Sequence, residues 1–219
     1  MSKAEQEAIL AQQAEQLLLA AGQTLEGFDT PEEIIEKVRG LFENIPVPVP
    51  ADGSGTEQPP GSGQTVSSQG IVCPVNVPGR IVMTQGYGVG SHVPAQVFGA
   101  IDLAVDGDGD GAADVPGTHR APLVAAFDGV VYAVTEEHNG NRYVSIKNAD
   151  GRRFAYSHLD EYIVSSGQVV VRGQQIGYIG DTGYSFGDHL DIQYWVPNGS
   201  GGEVNTDPTA MLREACGFP

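Results

Sequence analysis

His189, Asp191 and Gln193 alternate within the stretch DTGYSFGDHLDIQYW, residues 181–195. Side chains of a strand repeat every second residue, so these three polar groups fall on one face. Leu190, Ile192 and Tyr194 fall on the other. A polar row backed by an apolar one is what the wall of a site requires. His189 offers a ring nitrogen and Asp191 a carboxylate, each able to hold a metal or to move a proton. His158, in YSHL, and Asp102, in FGAID, carry the same chemistry elsewhere in the chain. His92 and His119 are two further imidazoles near Asp102 in sequence; His92 sits on a glycine-flanked stretch that leaves its geometry open.

A second cluster is the run DGDGDGAAD, residues 106–114. It places Asp106, Asp108, Asp110 and Asp114 at positions 1, 3, 5 and 9 of a calcium loop, with Gly111 at position 6 and the carbonyl of Ala112 at position 7. Position 12 is Gly117, so the bidentate glutamate is missing. The alternative is a solvated acidic loop held by Asx turns. The spacing favours calcium as the cofactor of this loop.

Strands must position these groups. From Ile71 onward, short apolar runs are broken by glycine: GRIVMTQGYG, GAIDLAV, PLVAAFDGVVYAVTEE, RYVSIKNADGRRFAYSHL, GQVVVRGQQIGYIGDTG and DHLDIQYWV. These read as strands joined by tight turns, with NADGRR as a hairpin turn because Asp-Gly tolerates positive φ. A closing helix, DPTAMLREA, starts at Asp207 as cap with Pro208 in its first position. The predicted fold class is mainly β, with antiparallel sheets.

The N-terminal third differs. Residues 4–21 have Ile9, Leu10, Ala14, Leu17, Leu18 and Ala21 on one helical stripe. Residues 31–44 follow as a second helix, capped by Thr30, opened by Pro31, and apolar at Ile34, Ile35, Val38, Leu41 and Phe42. Residues 46–70, PVPVPADGSGTEQPPGSGQTVSSQG, have the composition of a linker. Fully extended at ~3.1 Å per residue, it would reach roughly 75 Å. The predicted organisation is a helical assembly segment at 1–45 that docks on other protein subunits, a flexible tether at 46–70, and a domain at 71–219 carrying the acidic loop at 106–117.

The chain has 219 residues and a formal net charge of −17, which argues against nucleic acid or anionic lipid as a partner. No run approaches the ~20 apolar residues of a membrane span. AILAQQAEQLLLAAG is interrupted by Gln and Glu, so no secretory signal peptide is expected. The two cysteines, Cys73 and Cys216, lie near the two ends of the domain. They either clasp it as a disulfide or remain two thiols, and spacing does not decide between these.

Residues 71–215 resemble the lysostaphin-type, or LytM-like, peptidoglycan endopeptidases. The resemblance rests on QGYG, GAIDLAV, APLVAAFDGVVYAV, the Gly-Gln-x-Val-x-x-Gly-Gln-x-Ile-Gly-x-x-Gly-x-Thr-Gly run at 167–183, GDHLD and DPTAML. It implies a zinc ion held by the His and Asp of an H-x-x-x-D strand and by the second His of an H-x-H strand. It also implies two catalytic histidines. Asp102 falls on the ligand Asp, His158 and His189 on the catalytic histidines. Phe98 stands four residues before Asp102, where the family has its first ligand His, and Asp191 stands where it has its second. On this reading two of three zinc ligands are replaced. Asp102 and Asp191 are then left as a two-carboxylate remnant, zinc is not expected, and His158 and His189 are relics.

The resulting expectation is a non-catalytic, wall-facing component of a phage tail or injection particle, reaching the cell exterior after lysis, whose groove binds peptidoglycan peptide or glycan. The alternatives are an active endopeptidase with an altered metal site and a cytoplasmic scaffold or regulator that keeps the fold.

Overall fold

The computed structural model describes residues 65–219. The two N-terminal helices, the assembly segment and most of the tether lie outside the described residues.

Eleven strands build the described part: β1 Arg80–Gln85, β2 Ile101–Asp106, β3 Pro122–Val124, β4 Gly129–Glu136, β5 Arg142–Lys147, β6 Arg153–Ser157, β7 Leu159–Tyr162, β8 Val169–Val170, β9 Gln175–Ile179, β10 Leu190–Pro197 and β11 Glu203–Asn205. Three short helices join them: α1 Ala95–Phe98, α2 Val115–Thr118 and α3 Thr209–Cys216. The large sheet runs β1-β2-β10-β6-β5-β4-β8, with β11 added to β10, and a small sheet runs β3-β9-β7. Every named pairing is antiparallel. The mainly β, antiparallel fold class expected from the sequence is the one observed.

Alternation explains the layers. Ile101, Leu103, Leu190, Ile192, Phe154 and Tyr156 are fully buried, and they form one core with Leu123, Leu159, Ile176 and Ile179 of the small sheet. Burying a side chain of this size contributes about 1.5–3 kcal/mol, so the two sheets are held face to face by this layer. The phenolic hydroxyl of Tyr156 meets its need for a partner at the amide of Ala126, 3.0 Å away.

NADGRR forms the β5–β6 hairpin turn. Asn148 Oδ1 accepts the amides of Asp150 and Arg152, and Gly151 takes φ 78°. At the C-terminus, Asp207 accepts the Thr209 amide at 2.8 Å, so α3 begins one residue later than the sequence suggests.

The two ends of the described part meet. Cys73 and Cys216 form a disulfide across a separation of 143 residues. Beside it, the Ser68 amide and hydroxyl both donate to the Glu214 carboxylate. Ser67 is already buried, so contact with the domain begins before Ile71.

Candidate metal centre

The middle of the large sheet brings the site together. Strand β10 lies between β2 and β6, and its register sets Asp191 opposite Asp102 on one side and opposite Ser157 on the other. Because the period is two, both aspartates point away from the core that Ile101, Leu103, Leu190 and Ile192 fill. His158 follows Ser157 directly, and His189 precedes β10, bridged to Gly180.

The third group that could hold a metal is His92. It ends a short 3-10 turn, Gly90–His92, and is 3% exposed. Its Nδ1 donates to the Gly86 carbonyl at 3.0 Å, which turns Nε2 toward the carboxylates. Nε2 lies 3.2 Å from Asp102 Oδ1 and 3.4 Å from Asp191 Oδ2. Burial disfavours charge on this ring, but the close Asp102 and Asp191 carboxylates and the Gly86 carbonyl outweigh it, and its pKa is pushed up to about 10. Without a metal the ring therefore carries a proton between two carboxylates.

This corrects the expectation built on Phe98. Phe98 is 52% exposed at the end of α1 and takes no part in the cluster. The chain between His92 and Asp102 is longer than the H-x-x-x-D spacing, and the extra residues leave the sheet as α1 and return. Gly99 makes the return possible: a side chain there would meet Ala95 O and the Tyr87 ring, each at 2.4 Å. Asn205 Nδ2 donates to the Gly99 carbonyl at 2.8 Å and fixes the end of the excursion. The replaced ligand position is thus one, Asp191. The sequence held a signal for this, since His92 is the only histidine before Asp102.

His158 and His189 face each other beside the cluster, ring centroids 4.9 Å apart. His158 Nδ1 lies 2.7 Å from the Thr182 carbonyl and His189 Nδ1 2.7 Å from the Gly187 carbonyl. A carbonyl only accepts, so both Nδ1 atoms carry the hydrogen and each Nε2 is turned toward its partner ring and the cluster. His189 Nε2 is 3.7 Å from Asp102 Oδ1. His119 goes elsewhere and pairs with Asp188 at 2.9 Å. Gln193 accepts the Trp195 indole N–H and is not part of the site.

The residues fit a transition metal. Ligand atoms of His92, Asp102 and Asp191 all lie within 4.8 Å of one another. Asp191 Oδ1 is buried without a hydrogen-bond partner, and Asp102 Oδ1 makes no well-angled hydrogen bond despite its two imidazole neighbours. Buried carboxylate oxygens left in this way are free to coordinate a cation. One imidazole and two carboxylates are ligands zinc accepts, and three protein ligands leave a position for water and substrate, as catalytic sites do.

The acidic loop is organised differently. Asp106, Asp108 and Asp114 approach one another, and Asp110 is outside that group. Asp114 Oδ2 accepts the amides of Gly107 and Asp108. Asp106 accepts those of Gly109 and Gly111. Asp108 accepts that of Asp110, and Asp110 that of Ala112. These carboxylates hold the loop's own backbone, the Asx-turn arrangement.

Residues 110–207 match the family model described as Peptidase family M23. Peptidoglycan DD-endopeptidase ShyB of Vibrio cholerae is 36% identical over 78 residues, which are 36% of this chain and 18% of that protein. Lysostaphin of Staphylococcus staphylolyticus is 32% identical over 133 residues, 60% of this chain and 26% of that protein. The chain therefore spans about a quarter or less of the length of these curated relatives. A solved zinc-containing peptidase from Vibrio cholerae is 26% identical, with a TM-score of 0.44, over 65% of this chain and 39% of that one.

The expectation of calcium with zinc unlikely is overturned. The expectation against zinc takes Phe98 as standing in a ligand's place, whereas His92 brings an imidazole to the two carboxylates, a nitrogen donor that suits zinc and not calcium. The expectation of calcium rests on the loop at 106–114, whose aspartates accept the loop's own amides instead. A relative from Haemophilus influenzae, 34% identical over 76 residues that are 34% of this chain and 16% of that protein, is described as a metalloprotease, and nothing in the matches supports calcium. With this site at its centre, residues 110–207 match Peptidase family M23, and the described part of the chain resembles the lysostaphin-type peptidoglycan endopeptidases.

Proposed function

We propose that this domain is an active, metal-dependent endopeptidase that hydrolyses peptide cross-links of peptidoglycan, with His92, Asp102 and Asp191 as its metal ligands. The observation that carries the proposal is the convergence of His92 on the two aspartates, next to the facing pair His158 and His189. A bound zinc ion would polarise the scissile carbonyl and lower the pKa of a water. His189, nearer Asp102, is placed to take a proton from the attacking water at Nε2. His158, held by Thr182, is placed to donate a hydrogen bond to developing negative charge once protonated. The Cys73–Cys216 disulfide suits work in an oxidising place such as the cell wall.

The test is muropeptide release from purified sacculi by protein loaded with zinc. New amine termini at the cross-links, abolished by chelation and by His158→Ala, support the proposal. Zinc-loaded, folded protein that releases nothing sinks it.

A second reading is favoured by one observation. Asp191 in place of a histidine lets His92, Asp102 and Asp191 satisfy one another as an ion-paired cluster without any metal. The domain would then bind wall peptide or glycan without cutting, as a structural component of a virion or injection particle held through residues 1–45. Metal content after purification separates the two readings.

A further inference from the structure

We infer that Asn141 is a positioning residue for His158, gripping its backbone while Thr182 grips its ring. The inference rests on the proposed peptidase activity for its kinetic part and on geometry for the rest.

His158 is where the chain leaves the large sheet, at the end of β6, and enters the small one at β7. It makes this corner with φ 64°, in the left-handed region that a residue with a Cβ avoids. Such strain persists only where surrounding contacts enforce it. The enforcing contact is Asn141. Its Oδ1 accepts the His158 amide at 2.8 Å, which replaces the strand partner lost at the corner. Asn141 is 6% exposed, and its own amide group is oriented by Glu137, whose Oε2 accepts from Nδ2 at 3.1 Å.

The same short stretch also controls the ring. Arg142, next to Asn141, donates its amide to Thr182 Oγ1 at 3.1 Å, and Thr182 Oγ1 in turn donates to the Leu159 carbonyl at 2.9 Å. The carbonyl of Thr182 is the acceptor for His158 Nδ1. Gly183 lies so close to Asn141 that a Cβ there would be 2.6 Å from Asn141 Cβ. Asn141, Arg142, Thr182 and Gly183 thus form one cradle whose product is the position of His158 Nε2. Displacing a reacting group by about 1 Å can cost 10²-fold in rate.

The experiment compares the full chain with Asn141→Ala, with the isosteric Asn141→Leu, and with Asn141→Asp carrying Glu137→Gln, which keeps an acceptor oxygen and supplies a donor to it. Kinetics on a cross-linked muropeptide and nuclear magnetic resonance of the His158 amide and ring are both read. We expect Ala and Leu to lower kcat about 10- to 100-fold with KM within about twofold. We expect their His158 amide to exchange faster and the Nδ1–H tautomer to lose dominance, and the Asp/Gln pair to restore both readings. Unchanged kcat in either folded Ala or Leu variant overturns the inference, as does an Asp/Gln pair no better than Leu. If the wild type cuts nothing, the functional reading fails, and the His158 resonances alone then decide whether Asn141 holds the corner. An amide and tautomer unmoved by Ala and Leu would show that it does not.

Discussion

Asp102 on β2 and Asp191 on β10 are directly opposite each other in antiparallel register, and both carboxylates close on His92 Nε2, at 3.2 and 3.4 Å. Two buried carboxylates side by side repel unless something positive sits between them. A proton on His92 does this in the absence of metal, and a divalent cation does it better.

The first prediction concerns ligand identity. His92→Ala and Asp102→Ala should each weaken zinc binding at least tenfold, read by calorimetry, whereas Phe98→Ala should leave it within about twofold. Losing one of three ligands removes far more than the ~1.4 kcal/mol that a tenfold change represents. Comparable loss from Phe98→Ala would show that His92 is not the ligand.

Asp191→His is the next test. It rebuilds the two-histidine, one-aspartate set that the family resemblance implies, so zinc affinity should be retained or increased. Asp191→Ala should lose it. Adding Phe98→His to Asp191→His should change nothing further, because position 98 is exposed at the end of α1.

The chelated protein should show a pH dependence carried by His92. Its folded pKa, pushed up to about 10, lies above the ordinary value of 6.5. The stabilisation it provides is therefore fully present below pH 6.5 and is lost as pH rises toward 10. In chelator, the melting temperature of wild type relative to His92→Gln should be highest below pH 6.5 and should decline across that window. A difference that is flat from pH 6 to 10 would refute the ion-paired cluster.

Glu203 gives the opposite sign. Burial alone would raise its pKa, but Arg153 and Lys147 outweigh burial and hold it below the usual carboxylate range. Arg153 Nη2 is 2.7 Å and Lys147 Nζ 3.0 Å from its carboxylate, tying β11 to β5 and β6. This contribution is present above pH 4.5 and is lost as pH falls through the depressed folded value. Glu203→Gln should lower stability at pH 7 by about 1 kcal/mol. That deficit should shrink below pH 4; a deficit that persists at pH 3 would assign it to packing.

Reduction of the disulfide should destabilise the domain. The bond closes a loop of 143 residues, and loops of this length are stabilised by roughly 2–5 kcal/mol. Cys73→Ser with Cys216→Ser should lower the melting temperature by several degrees and leave zinc affinity within about twofold, since both cysteines lie outside the metal cluster. An unchanged melting temperature would mean that Ser68–Glu214 and the packing of α3 hold the ends by themselves.

The sequence by itself determined the strands other than β7 and β11, the hairpin turn at Asn148–Arg152 and the polar face of β10, because these follow from local periodicity and turn chemistry. Alternation put His189 and Asp191 on one face, and the resemblance to lysostaphin-type endopeptidases joined Asp102 and His158 to them in one candidate site. Tertiary structure decided what counting could not. His92 reaches the site from outside the sheet, along an excursion whose length hides it from a four-residue spacing, and Gly99, Tyr87 and Asn205 close that excursion from distant parts of the chain. Spacing rules apply within one regular element, and they fail where the chain leaves it. Asn141 was invisible for the same reason: its partner is seventeen residues away, across a corner between two sheets. The acidic loop shows the converse, because its aspartates have ligand spacing but their oxygens are engaged by nearby backbone amides that a pattern does not display.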